Sequence, residues 1–270
     1  MLLLAMLIAL MAFDQSAQEG KNVSPDAIMT RVATNQDRSE VLRKQYICNE
    51  HIHVVTHNTN GKLMREETAD YEIVPSATGS QIELKMLRGR YWKDGKYEGF
   101  AGEPTSDADS WDADYIRDVR KCLTEDSRCT VGAHLFPFAT AEQNKYDFRL
   151  VGEELLRGRN AYNIEFAPKS KKAFDWAGQV LIDKVDLQPL RVVTKLSRRV
   201  PLFVRSLGTN ISGIGYELDH KRQDDGNWLP SSYGSEYELH LFFRTNRTVA
   251  VSMDVSFEHE NNHAQKHLEN

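Results

Sequence analysis

Residues 249–258 read VAVSMDVSFE, and this short stretch decides the fold class. Apolar side chains stand at every second position, and small or polar side chains stand between them. Successive side chains of a strand point to opposite faces of a sheet, so the pattern predicts a β-strand with one face in a core and the other in water. A strand of this kind is typical of an antiparallel sheet.

The same alternation recurs along most of the chain. Dipeptides that favour tight hairpin turns, such as Asn60-Gly61 and Asp225-Gly226, separate the runs. About ten strands joined by short connections predict an antiparallel meander in one domain, and a sheet of that length has to curl or close. The runs begin near Tyr46, Ala69, Ile82, Tyr146, Tyr162, Val180, Leu190, Tyr216, Tyr237 and Val249.

Two segments follow a helical period instead. Ser24 and Pro25 form a helix start signal, and the helix is expected to run to about Leu42. Residues 106–123 begin with acidic side chains and end with basic ones, which suits the helix dipole. The predicted fold class is mostly β (α+β): a single curled antiparallel sheet with helices packed on its concave face. The domain is expected over residues 24–258, followed by a polar tail over residues 259–270.

The amino-terminal segment predicts export. Residues 1–13 are nearly all apolar, too few to span a bilayer but enough for the apolar region of a signal peptide. We expect a signal peptide over residues 1–18, cleaved near Ala17 or Gln18, and a periplasmic location. No Lys or Arg precedes the apolar run, and a membrane anchor or a buried helix is the alternative.

Charge and cysteine content narrow the function classes. The net charge is −5 and no basic stripe stands out, so nucleic acid is not expected as a partner. Three cysteines are too few for a disulfide framework. In an oxidising compartment Cys122 and Cys129 are close enough in sequence to bridge, leaving Cys48 as a thiol; three buried thiols are the alternative.

Several motifs in the second half resemble one family. They are Val151-Gly152-Glu153, residues 158–168 (GRNAYNIEFAP), residues 178–183 (GQVLID) and Pro189-Leu190-Arg191. They resemble the outer-membrane lipoprotein-sorting (LolA-like) superfamily, which includes the regulatory protein RseB. The resemblance implies a half-barrel, an incomplete antiparallel barrel closed by helices around an apolar cavity. It specifies architecture and no ligand.

Four aromatic residues are the candidate lining of such a cavity. Trp111 and Tyr115 lie one helical turn apart with Val119 on one predicted stripe, and Phe136 and Phe138 follow in the next segment. The alternative is that these side chains are ordinary core.

Two histidine patterns are similar to metal sites. His259-Glu260-Asn261-Asn262-His263 matches the H-E-x-x-H pattern of zinc proteases, but it lies in the polar tail. His51, His53 and His57 share a strand face that is expected to be solvated. We therefore expect no catalytic residues, no metal and no cofactor.

The sequence thus predicts a non-enzymatic binding or carrier protein for an apolar ligand, such as a lipid or a lipoprotein acyl chain, with transient membrane contact. The alternative is an envelope protein-interaction or stress-sensing module that acts through its sheet surface, with Phe242 as a candidate contact.

Overall fold

In a computed structural model of the protein, residues 24–76, 79–102, 111–124, 137–170, 176–196, 209–212, 215–241 and 245–259 are described. The predicted signal peptide and most of the predicted tail lie outside these ranges. Within these ranges the helices are α1 (Pro25–Arg43), α2 (Trp111–Thr124) and a short 3-10 helix (Gln143–Lys145). Neither α-helix of the described residues is long and apolar enough to cross a bilayer.

In the described part of the chain, twelve strands form one sheet. They are β1 (Tyr46–Asn58), β2 (Leu63–Ser76), β3 (Gly79–Lys93), β4 (Lys96–Ala101), β5 (Tyr146–Leu156), β6 (Arg159–Pro168), β7 (Trp176–Asp183), β8 (Pro189–Leu196), β9 (Thr209–Ser212), β10 (Gly215–Arg222), β11 (Trp228–Leu241) and β12 (Thr245–His259). The strand that carries the opening motif ends at His259, one residue beyond the predicted domain boundary.

The sheet is antiparallel and open. Its strands run in the order β4-β3-β2-β1-β12-β11-β10-β8-β7-β6-β5, and β9 pairs with the far end of β11. Neighbours along this path follow one another in sequence with two exceptions. Strand β10 pairs with β8, since β9 lies off the path. Strand β1 pairs with β12, which joins the first and last described strands over thirteen residue pairs. The two ends of the sheet, β4 and β5, therefore come from the middle of the chain. The predicted fold class, a mostly β curled antiparallel sheet with helices on one face, is confirmed.

Both helices pack on the same face of the sheet, called the inner face below. Ile28, Met29 and Val32 of α1 belong to one apolar cluster with Ile116 and Leu123 of α2. Helix α1 begins at Pro25 as predicted, and the Ser24 carbonyl accepts the first helical hydrogen bond, from Ile28 N–H at 3.1 Å.

The buried stripe of α2 differs from the predicted one. Ala113, Ile116, Arg120 and Leu123 point into the interior, whereas Trp111, Tyr115 and Val119 are only partly buried beside the core. The predicted helical period is confirmed, but the face of α2 that is buried is rotated by about one residue from the predicted stripe. The rotation depends on which surface the helix meets, because both stripes recur at helical spacing.

Candidate functional site

The inner face is built from apolar side chains in cross-strand register. One row crosses nine strands from β6 to β3 without a charged residue. Its members are Ile164, Val180, Val192, Leu218, Tyr233, Met253, Ile52, Ala69 and Leu87, each directly opposite the next. All except Tyr233 are buried. Because every second residue of each strand faces inward, the local alternation seen in the sequence adds up to one continuous apolar surface.

Helix α1 covers one part of this surface and is anchored by amide groups. The Asn35 side-chain amide donates to the carbonyl oxygens of Asp186 and Leu187 at 3.2 and 3.0 Å. Gln36 donates to the Gln188 side chain at 2.6 Å. The helix is therefore tied to the β7–β8 turn as well as being packed into the core.

Aromatic side chains that are only partly buried surround the apolar row. They belong to β2, α2, β5, β6, β7 and β11, and they pack against the edge of the core cluster. They are Tyr71, Trp111, Tyr115, Phe148, Tyr162, Trp176 and Tyr233. We call this set the aromatic rim. Only two of its members were singled out from the sequence, although Phe148, Tyr162 and Tyr233 have the same strand parity as the buried residues beside them.

Trp111 and Tyr115, two of the four predicted lining residues, lie together in the aromatic rim. Their rings stack with centroids 5.1 Å apart. The Tyr115 hydroxyl is 2.5 Å from the Tyr237 hydroxyl. Burial raises the pKa of Tyr115 to about 12, so its hydroxyl is neutral at physiological pH and can donate or accept a hydrogen bond.

The other two predicted lining residues stand apart from that pair. Phe138 is buried in the apolar cluster, where its ring meets Phe166 edge to face at 5.9 Å. Phe136 lies outside the described residues. A ligand-lining role for all four stays a prediction, and the position of Phe138 is also that of an ordinary core residue.

Polar side chains hold α2 to the sheet at both ends. Near its start, Asp112 accepts two hydrogen bonds from Arg247 of β12, at 2.8 and 2.9 Å. Near its end, Arg120 donates to the Tyr71 hydroxyl at 2.9 Å. Paired guanidinium–carboxylate contacts are geometrically specific, so they define where the helix sits.

A buried charge cluster lies beneath the end of α2, and the sequence reading did not find it. Arg65, Glu67 and Arg120 are 1%, 2% and 3% exposed. Arg65 Nε donates to Glu67 at 2.5 Å, and Arg120 Nε is 3.2 Å from the other Glu67 oxygen. The signal was available: Arg65 and Glu67 share the strand parity of Ala69, and Arg120 lies one helical turn from Ile116.

The histidines of β1 lie on the outer face of the sheet, as expected. His51 Nδ1 is 2.5 Å from Asp70, and His53 Nε2 is 3.0 Å from Glu66. Among the described residues no group of three or more His, Cys, Asp or Glu side chains is arranged to hold a metal ion. The first residue of the zinc-protease pattern, His259, lies in a strand and contacts Asp225 at 2.8 Å.

Cys122 of α2 is disulfide-bonded. Cys48 keeps its thiol, which is buried and lies 3.8 Å from Glu50 Oε1. The partner predicted for Cys122, Cys129, lies outside the described residues. A disulfide at Cys122 is the first of the two alternatives left open by the sequence.

No family model matches the sequence, and no curated protein is significantly similar to it. Several solved structures with low sequence identity are similar to this chain over most of its length. A DUF1329 family protein from Desulfovibrio piger is 14% identical, with a TM-score of 0.39, over 88% of this chain and 94% of that one.

Two further structures carry the superfamily description that the sequence resembles. A putative outer membrane lipoprotein-sorting protein domain from Vibrio parahaemolyticus is 13% identical, with a TM-score of 0.36, over 89% of this chain and 98% of that one. A LolA superfamily protein from Nitrosomonas europaea is 10% identical, with a TM-score of 0.35, over 84% of this chain and 91% of that one.

Proposed function

We propose that the protein is a periplasmic, non-enzymatic binding or carrier protein for an apolar group such as a lipid or lipoprotein acyl chain. One observation carries the proposal: a continuous apolar row on the inner face is bordered by the partly buried aromatic rim. An aliphatic surface bordered by tyrosine and tryptophan side chains suits a ligand that is apolar along its length and polar at one end.

The energetics favour an acyl chain as the ligand. Each methylene group transferred from water to an apolar surface contributes about 0.8 kcal/mol. Burial raises the pKa values of Tyr115, Tyr216, Tyr233 and Tyr237, so these phenols stay neutral and can hydrogen-bond an ester or amide linkage. The inner face therefore offers apolar contacts to the acyl chain and hydrogen-bonding phenols to its ester or amide linkage.

Helix α2 is the element that has to yield for a ligand to reach the apolar row. Its contacts with the sheet include the Asp112–Arg247 pair, the Tyr115–Tyr237 pair and the Arg120–Tyr71 hydrogen bond. Moving α2 would expose Ile116 and Leu123 and separate Arg120 from Glu67. The acyl chain therefore has to replace the apolar contacts that the helix gives up.

The disulfide at Cys122 supports the proposed location. Disulfides persist in oxidising compartments such as the bacterial periplasm and are rare in the cytosol. The apolar segment over residues 1–13 is the proposed export signal.

The test is direct titration. The purified chain without residues 1–18 is delipidated and titrated with a fluorescent fatty acid and a fluorescent lipopeptide. We expect saturable binding that Trp111→Ala and Tyr233→Ala weaken, because both remove an aromatic side chain of the rim. Tyr97→Ala is the matched control, since Tyr97 is an exposed aromatic residue on β4.

If neither probe binds saturably, the proposed binding function is wrong. Capture of a defined envelope protein by a chain that binds neither probe would favour the alternative, an interaction module acting through the sheet surface. Phe242, the contact suggested for that alternative, lies outside the described residues.

A further inference from the structure

Strand β5 forms one end of the sheet. It pairs with β6 along its whole length, and no described strand pairs with its other edge. Its sequence from Tyr146 to Leu156 has no proline, so every residue of the strand keeps a backbone N–H group. An edge of this kind is a template for another strand.

The open strand also presents apolar side chains to water. Leu150, Val151 and Leu155 are 37%, 46% and 70% exposed. Edge strands of monomeric proteins are usually short or protected by proline or inward-pointing charges. Three exposed aliphatic residues on one long edge strand form a surface against which another strand can pack.

A bulge makes the two halves of β5 complementary. The pairing with β6 shifts between Leu150 and Gly152, so the alternation of faces reverses there. Arg149, opposite Glu165, and Glu154, opposite Ala161, consequently both lie on the outer face. By the same reversal, Phe148 and Leu155 both lie on the inner face, although one position is even and the other odd.

We propose that the open edge of β5 pairs antiparallel with β5 of a second copy about a twofold axis, with Gly152 facing Gly152. Val151 is the bulge residue that has no partner on β6, and in this register it is skipped in both copies. Arg149 of each copy then faces Glu154 of the other, and Phe148 faces Leu155. Each opposite-charge pair and each apolar pair occurs twice, which is the property of an isologous interface. Without the bulge, residues 149 and 154 would lie on opposite faces and could not pair.

The other end of the sheet is a poorer edge for such pairing. Strand β4 has six residues and covers only Arg88–Lys93 of β3, so that end is stepped. A second strand would have to follow two different strands in turn. Pairing through β5 alone closes the assembly at two copies, because the interface uses the same surface of both.

A cysteine cross-link tests the register. A Cβ atom added at Gly152 meets nothing within 4 Å, so Gly152→Cys is expected to fold normally. Two such residues face each other across the axis, and mild oxidation should give a disulfide-linked dimer. Glu154→Cys is the matched control, because residue 154 faces residue 149 and not its own counterpart.

A charge exchange tests the pairing. Arg149→Glu and Glu154→Arg each place like charges opposite each other twice, whereas a mixture of the two variants restores both opposite-charge pairs. In sedimentation velocity we expect the wild type and the mixture to form dimers and each variant alone to dissociate at least tenfold more readily. Arg117→Glu, an exposed arginine on α2, is expected to dimerise like the wild type.

Arg149 also contacts Glu165 within the chain at 3.0 Å, so thermal unfolding of every variant is recorded to confirm folding. A wild type that sediments as a monomer at all concentrations overturns the proposal. Dimers that survive both charge variants, or that cross-link equally through residue 154, overturn the register. None of these measurements uses an acyl ligand, so the outcome is independent of the proposed binding function.

Discussion

At the scale of single residues, Glu67 joins the sheet to a helix inside the core. Its carboxylate lies between the guanidinium groups of Arg65 on the same strand and Arg120 on α2. Removing charges from water is unfavourable unless they are paired. Such a cluster adds little net stability, but it specifies the position of α2, because the charges are satisfied in few other arrangements.

We expect Glu67→Gln to lower the free energy of unfolding by about 3 kcal/mol, since two buried guanidinium groups lose a negative partner. Chemical denaturation monitored by circular dichroism measures the change. Glu83→Gln is the control: Glu83 is 66% exposed in its pair with Lys85, and its loss should change stability by less than about 1 kcal/mol. Equal effects of the two substitutions would contradict a buried cluster.

Gly178 is required by the close approach of two strands. A Cβ atom there would lie 2.0 Å from the Val193 carbonyl oxygen and 2.9 Å from Thr194 Cα. Because both contacts are backbone atoms, the strands must shift, and we expect Gly178→Ala to lower the unfolding free energy by about 2 kcal/mol. Gly152→Ala, which meets nothing within 4 Å, should leave the denaturation midpoint unchanged or slightly raised.

At the scale of elements, α2 connects the two ends of the sheet. It follows β4 and precedes β5 in sequence, and it packs on β1 and β2. Its partly buried flank carries Trp111 and Tyr115, while its buried stripe carries Ile116 and Arg120. The helix thus contributes to the core, to the buried charge cluster and to the aromatic rim at once.

We expect Asp112→Ala to loosen the start of α2, because the substitution removes both hydrogen bonds from Arg247. Hydrogen–deuterium exchange of the α2 amides should become faster. Asp114→Ala is the matched control: it removes the same charge from the same helical turn, but Asp114 pairs with Arg117 of α2 itself. Equal acceleration in both variants would show that the tie to β12 does not hold the helix.

The β10–β11 turn is tied to β1 and β12 through Asp225. Partial burial alone would raise the pKa of Asp225, but hydrogen bonds from Tyr46, Asn227 and His259 outweigh it and lower the pKa from 3.8 to about 2. A carboxylate with a lowered folded-state pKa stabilises the protein above its unfolded pKa, and this contribution is lost as the pH falls toward the folded value.

We therefore expect Asp225→Asn to be less stable than the wild type at pH 7 by about 1 kcal/mol, after allowance for solvent screening. The difference should shrink as the pH falls from 4 toward 2, the range between the two pKa values. Denaturation at several pH values measures it, with Asp224→Asn as the control for loss of one charge. The same pH profile for both variants would contradict the role of Asp225.

At the scale of the whole molecule, the pairing of β1 with β12 places the first and last described strands at the centre of the sheet. The open ends, β4 and β5, then come from mid-chain. This arrangement leaves an inner face that α1 and α2 cover and places β5 at one end of the sheet. The proposed ligand site lies on the inner face and the proposed self-association follows the β5 edge, and the two meet at Phe148 of the aromatic rim.

The covalent state of the molecule is tested by counting thiols. With Cys122 bonded as in the structure and Cys129 as its predicted partner, one of the three cysteines, Cys48, remains a thiol. We expect no reaction with Ellman's reagent in the native protein, one thiol per chain in denaturant, and three after reduction. Three thiols in denaturant without reductant would contradict the disulfide and weaken the case for export.

What the sequence by itself determined is the set of local patterns. The alternation in residues 249–258 and in the runs like it specified strands and their buried faces, because one buried face per strand follows from side-chain geometry alone. Pro25 specified the start of α1, and the Asn60-Gly61 signal correctly separated β1 from β2.

Only the tertiary structure decided which of these surfaces meet. It joined β1 to β12, rotated α2 so that Ile116 and Arg120 face inward, and gathered Arg65, Glu67 and Arg120 into one cluster. It also placed the bulge that brings Arg149 and Glu154 onto one face. These features depend on contacts between residues that are far apart in sequence. Such contacts form only when the sheet is assembled, so no local sequence pattern predicts them.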